Sequence, residues 1–258
     1  MRSEERLGNL AEEYHVASRN QAAFKHIARA YQIHFEPHIQ QLVSEAPLHL
    51  TGYSRVPLPP QRVPVNLSLE EAITRRASGR RFSAAPLLPE QLATLLYLGN
   101  AVRRVDEQPG LRNYQRNAPN SGNLGSVEAY PIILNVRGID PGIYHFDSVH
   151  HDLACLQAGQ FSTWLRECVF YQIEFSEAAV ALVLTAAIGR LAAKYGLGAY
   201  RLAFLDVGHV SENIYLASTG LGLEVCATSG FIDDELDAAL QLDGLDNAAL
   251  LVVLIGFR

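Results

Sequence analysis

Long apolar runs, basic runs and paired cysteines are all missing from this 258-residue sequence, and each absence excludes a class of protein. The longest apolar stretch, Ala178 to Gly189, is too short to cross a bilayer, and the polar start MRSEERLGN lacks the apolar core of a signal peptide. A cytoplasmic protein is therefore expected. Acidic residues outnumber basic ones, 27 to 21, and no basic block interrupts them, so neither bulk nucleic acid nor an anionic membrane is an expected partner. The three cysteines, Cys155, Cys168 and Cys226, are an odd number without C-x-x-C spacing. They read as small apolar fillers rather than disulfides or zinc ligands. Signatures of phosphate-binding loops, dinucleotide folds, serine hydrolases and zinc proteases are absent as well.

What is present is ample core material, 48% hydrophobic residues. Residues 1–50 follow a loosely amphipathic helical pattern through Tyr14, Ala17, Ala22, Phe24, Ile27, Ala30, Tyr31 and Phe35. Tyr53 to Pro64, with four prolines, reads as an extended arm. Two units are expected, residues 1–64 as helices plus arm and 65–258 as the main domain. In the latter, Ser68 and Glu71 make a capping box, and LPEQLATLLYLGNAV follows with leucines at helical spacing. Pro109 to Gly125 has no apolar period and reads as a loop. AYPIILNV, GIYHFD, HDLACL, AAVALVLTA and the final NAALLVVLIGFR read as strands, the second and third as a hairpin. Phe161–Ser176, AIGRLAAKYG and DDELDAALQL read as helices. Irregular alternation of helix and strand predicts an α+β fold, a sheet with helices packed on it.

The stretch from Lys194 to Phe231 organises the rest. Val207, Val210, Ile214, Ala217 and Leu221 recur at steps of three and four, placing them on one helical face. Asp206 stands where an N-cap is expected, and Gly220 and Gly222 where the helix should close. Leu205, His209 and Leu216 on the other face predict a helix buried on two sides.

Three clusters are candidates for chemistry. Arg75, Arg76, Ser78, Arg80 and Arg81 surround Gly79, either as a solvated helix end or as a phosphate cradle. His145, His150 and His151 lie close in sequence, but with no carboxylate or cysteine at ligand spacing no metal site is expected. Lys194 and Tyr195 are adjacent, either as a packed ring and a solvated cation or as an activated pair.

Four segments, Arg76-Ala77-Ser78-Gly79-Arg80, APNSGNLGSVEAY, KYGLGAYR with DVGHVSENIYLA, and ATSGFIDDEL, occur in an order that resembles the FMN-dependent nitroreductase superfamily. Within it, they are similar to the branch of SagB-type dehydrogenases and azoline oxidases. The resemblance covers Leu67 to Arg258 and implies a nitroreductase-like fold, a mostly antiparallel sheet flanked by helices, in an intertwined homodimer with FMN at its interface. It assigns Arg76, Ser78 and Arg80 to the FMN phosphate, with Arg258 joining them. Asn120, Ser121, Gly122 and Asn123 would line the flavin, and Ser229 and Gly230 would offer backbone N–H groups to its ring. Lys194 and Tyr195 would be catalytic, a phenolate favoured by the neighbouring ammonium removing the ring proton while hydride goes to the flavin.

The activity so implied is oxidation of a thiazoline or oxazoline to an aromatic azole in natural-product biosynthesis, with oxygen reoxidising the flavin. An NAD(P)H-dependent nitro, quinone or alkene reductase and a non-catalytic flavin-binding subunit are the alternatives. Ala77 and Thr228-Ser229-Gly230 depart from the branch pattern. Residues 1–64 are too few for a leader-peptide-binding domain plus the arm. The expected substrate is thus a peptide presented by a partner of a modifying complex, a carrier-tethered heterocycle or a free small molecule.

Overall fold

The computed structural model describes residues 3–19, 36–169 and 177–258. The helices are α1 (Ser3–Ala17), α2 (Pro37–Ser44), α3 (Leu69–Arg75), α4 (Pro89–Asn100), α5 (Ser162–Cys168), α6 (Ile188–Tyr195), α7 (Ala199–Gly220) and α8 (Asp233–Ala239). The strands are β1 (Arg55–Pro57), β2 (Val102–Gln108), β3 (Leu111–Arg116), β4 (Val127–Ile133), β5 (Gly142–Asp147), β6 (Asp152–Ala158), β7 (Val180–Ala187), β8 (Glu224–Thr228) and β9 (Asn247–Gly256). Seven strands form one sheet in the order β1-β6-β5-β4-β7-β9-β8, every neighbouring pair antiparallel. This is the expected α+β architecture.

Strand β7 lies inside the sheet, between β4 and β9, and is apolar along almost its whole length because both of its faces are covered. Val180, Leu182, Leu184 and Ala186 face a core shared with Val207, Val210 and Ile214 of α7 and with Leu92, Leu95 and Leu96 of α4. Ala181 and Val183 point the other way, toward Leu165, Leu236 and Leu240. That alternation places α4, α6 and α7 on one face and α5 and α8 on the other.

The Ser68–Glu71 capping box is formed reciprocally at the head of α3. Ile39 and Val43 of α2 and Leu58 of the arm are buried in the same core as the main sheet. The first part of the arm pairs as β1 with β6 of its own chain. The helical pattern read through residues 20–35, and the part of Phe161–Ser176 beyond 169, fall outside the described residues.

Two expectations are corrected. Pro109 to Gly125 is not one loop: its first half is strand β3, paired with β2 in a separate two-stranded ribbon. Helix α7 begins at Ala199, seven residues before the expected cap, and only one of its sides is buried. Leu205 is 58% exposed and His209 is exposed too, as are Tyr200 and Phe204. The closing glycines are as expected, Gly220 ending the helix and Gly222 taking a positive φ of 70° just beyond it.

Candidate active site

Asp206 lies inside α7 and caps a different element. Its carboxylate is almost wholly buried and accepts the Ser121 N–H at 3.0 Å, the Ser121 hydroxyl at 2.8 Å and the Ser126 hydroxyl at 2.7 Å. The turn it holds, Ser121–Asn123, is a single 3-10 turn whose Gly122 sits at φ 60°. Asn120 completes the knot, its Oδ1 accepting the Gly125 N–H at 2.9 Å. Asn123, itself at φ 57°, pairs its amide with that of Asn113 on β3. The polar side chains of Asn120, Ser121 and Asn123 are therefore tied to the protein, and the element they present outward is the Gly122 backbone.

Lys194 and Tyr195 meet that backbone. A Cβ built on Gly122 would fall onto the Tyr195 hydroxyl and lie 2.8 Å from Lys194 Nζ. The ammonium also stands over the Tyr195 ring, 5.3 Å from its centroid. Burial lowers the Lys194 pKa. Burial, and then the charge of Asp206, raise that of Tyr195. Both directions favour the uncharged forms, the opposite sense to a phenolate stabilised by the ammonium.

Gly122→Ala is expected to cost about 1–3 kcal/mol in urea unfolding, from the left-handed backbone and the collision together. Gly110→Ala is the control. At φ 77°, with nothing within 4 Å of its Cβ, it should show the backbone cost alone.

The cationic cluster is built on another part of the fold. After α3 the chain runs along the start of edge strand β8, with the Gly79 N–H donating to Val225 O at 2.9 Å. The Glu224 carboxylate lies over Gly79, where a Cβ would displace it. Ser78 Oγ stands 3.2 Å from the Tyr215 hydroxyl, which accepts the Ala227 N–H at 2.7 Å. Arg76 lies over the Tyr215 ring and Arg80 donates to the Ser78 carbonyl. Among the described residues neither makes an ion pair, and Arg258 has only a long contact to Glu224, 3.9 Å. The exposed guanidiniums of Arg76 and Arg80 beside the Ser78 hydroxyl fit a phosphate group, with the Glu224 carboxylate over Gly79 as the group it would have to displace.

Ser229 and Gly230 follow the other end of β8, about 17 Å from Glu224 at 3.4 Å per residue. The Gly230 N–H donates to Thr228 Oγ1 at 3.0 Å.

The two groups stand apart. Ser121 is held by Asp206 and Ser78 by Tyr215, nine residues on along α7, which is roughly 13 Å along the axis and half a turn around it. The cradle lies at the start of β8 and the Ser229–Gly230 turn beyond its far end, and the cradle also stands apart from Gly122 with Lys194 and Tyr195.

A model of the nitroreductase family matches residues 73–257. The chain belongs to the nitroreductase family. Among relatives of this nitroreductase-family oxidoreductase, one from Methanocaldococcus jannaschii, itself described as a nitroreductase, is 26% identical over 176 residues, 68% of this chain and 85% of that one. The trifolitoxin-processing protein TfxB of Rhizobium leguminosarum bv. trifolii is 26% identical over 137 residues. That match spans 51% of this chain and only 37% of TfxB. A chain of the Escherichia coli microcin synthetase McbBCD complex, solved with truncated pro-MccB17 bound, superposes with a TM-score of 0.62 at 20% identity. The superposition covers 86% of this chain and 94% of that chain, and shows the shared fold.

Sequence reasoning missed Asp206 as the anchor of the turn, and missed Tyr215 and Glu224. Tyr215 was visible inside the N-I-Y-L-A segment, but nothing in its spacing tied its hydroxyl to Ser78, 137 residues away.

Proposed function

We propose that this chain is an FMN-dependent azoline oxidase of the SagB-type branch, acting in the maturation of a peptide natural product. The observation that carries the reading is the convergence of Lys194 Nζ and the Tyr195 hydroxyl on the Gly122 backbone. Burial favours the neutral amine of Lys194, the form that can accept a proton, and the protonated phenol of Tyr195, the form that can donate a hydrogen bond. Lys194 Nζ takes the proton from the azoline ring carbon, and Tyr195 orients the heteroatom next to it. Bound FMN would supply the hydride acceptor, with oxygen as the final oxidant. Arg76, Ser78, Arg80 and Arg258 would hold its phosphate, and Ser229 N–H would approach the ring.

The reading includes a homodimer with FMN at its interface, as the family resemblance implies. The exposed Tyr200, Phe204 and Leu205 on α7 supply an apolar face for such an assembly. The names of TfxB and of the microcin synthetase support the peptide reading and a modifying-complex partner.

The test is anaerobic stopped-flow absorbance of the FMN-loaded protein. Bleaching by a thiazoline peptide and not by NADH or NADPH, with loss in Tyr195→Phe, is the expected result. Rapid bleaching by nicotinamide, indifferent to Tyr195, would establish a reductase instead, and FMN binding without turnover a non-catalytic subunit.

A further inference from the structure

At the opposite edge of the sheet, around the β5–β6 turn, His49 is brought to Asp147 and His150, which lie about a hundred residues later and three residues from each other. His49 Nδ1 lies 2.5 Å and His150 Nδ1 3.0 Å from the same oxygen, Asp147 Oδ2. The two imidazole rings are 4.9 Å apart between centroids. We propose that His49, Asp147 and His150 form a site for a divalent transition metal ion of the zinc class, tying the segment before β1 to the β5–β6 turn.

The donor set selects the ion. Two imidazole nitrogens and one carboxylate oxygen, with a fourth position open to water, suit zinc and its spectroscopic substitute cobalt. Magnesium and calcium favour oxygen ligands throughout. The carboxylate is anchored: the Asp147 side chain is 1% exposed, and its Oδ1 accepts the backbone N–H groups of Val149 at 3.0 Å and His150 at 2.9 Å. Such outer bonds fix the direction in which the other oxygen points. The imidazoles are 49% and 58% exposed, so an ion can reach them from solvent and each ring can pass its remaining N–H to water.

Donor atoms around a tetrahedral ion with bonds of about 2.0–2.1 Å stand roughly 3.3 Å apart. The two histidine–aspartate spacings have to widen by less than about 1 Å, and the two half-exposed rings can provide that movement.

The competitor for Oδ2 is Arg55, which donates to it from Nη2 at 2.7 Å. Arg55 does not depend on that bond. Its Nε and Nη2 also pair with the Asp152 carboxylate, and its Nη1 donates to Leu50 O at 3.1 Å. When an ion takes Asp147, the guanidinium keeps a carboxylate partner and a carbonyl, and no buried cation is left unpaired. The site is independent of the flavin reading, since β1 and β8 are the two edges of the sheet.

The test uses tag-free, metal-stripped protein titrated with Co²⁺ and then Zn²⁺. One equivalent of cobalt should give the visible bands of a tetrahedral complex, and zinc should displace it. Zinc at about a hundredfold excess over Kd should raise Tm by several degrees. His49→Gln and His150→Ala should each weaken cobalt binding at least ~10-fold and abolish the Tm shift, with far-UV circular dichroism confirming that both variants fold. His209→Ala, an exposed histidine on α7, should behave as wild type. No cobalt binding, an octahedral spectrum without a Tm shift, or a tetrahedral spectrum that survives in both variants would each overturn the proposal.

Discussion

In Asp206→Ala the folded state is expected to lose about 3–5 kcal/mol, measured by urea unfolding, because three donors lose their only carboxylate at once. The Ser121 N–H, the Ser121 hydroxyl and the Ser126 hydroxyl all converge on it, and Ser126 is completely buried. A buried donor left without an acceptor costs more than an average hydrogen bond contributes, so the loss should exceed that of any exposed cap substitution. Asp206→Asn keeps one acceptor oxygen and should recover part of the stability. Neither variant should hold Gly122 against Tyr195 as the wild type does. Flavin affinity, read by fluorescence titration, should fall in the same order as stability. An Asp206→Ala protein with unchanged unfolding free energy would mean that the Ser121 turn is held by other contacts.

The second large effect concerns the pair that the turn faces. Lys194→Met and Tyr195→Phe are each expected to slow substrate-dependent flavin reduction by about 10²–10⁴-fold, the range of a lost proton-transfer group. The pH profile separates their roles. The Lys194 pKa is lowered, so the neutral amine accumulates as pH rises through a value below its ordinary one, and the rate should climb over that interval. The Tyr195 pKa is raised, so the phenol persists beyond its ordinary range and the rate should fall only at still higher pH. Lys194→Met should remove the rising limb, and Tyr195→Phe the falling one. A rising limb retained in Lys194→Met would transfer the base role to another group.

Most of the fold was legible where hydrophobic period and strand length agree. Gly142–Asp147 is the strand its sequence predicts, and β7 and β9 carry apolar runs bounded by polar residues. Legibility failed where a strand has no buried face. In β2, Arg103, Arg104, Asp106 and Glu107 leave no alternation to detect, since Val102 is the one buried residue of the strand. The start of α7 was hidden because Tyr200, Phe204 and Leu205 are apolar yet exposed, which blurs the period a buried face would give.

The candidate site was legible in its residue types and illegible in its geometry. Asp206 beside an apolar period has every local property of a helix cap, and its actual partners lie 80 and 85 residues away. His49 and Asp147, 98 residues apart, show the same limit. Pairings of that kind are made by the sheet order, which no local spacing encodes.

That order also constrains how the chain can fold during synthesis. Strand β9, the latest strand in sequence, lies between β7 and β8, and β8 has no other partner in the sheet. Until residues 247–256 have left the ribosome, β7 exposes one whole hydrogen-bonding edge, with Leu182, Val183 and Leu184 beside it. A nascent chain stalled before Asn247 would therefore display an unpaired, apolar template to its neighbours on the polysome.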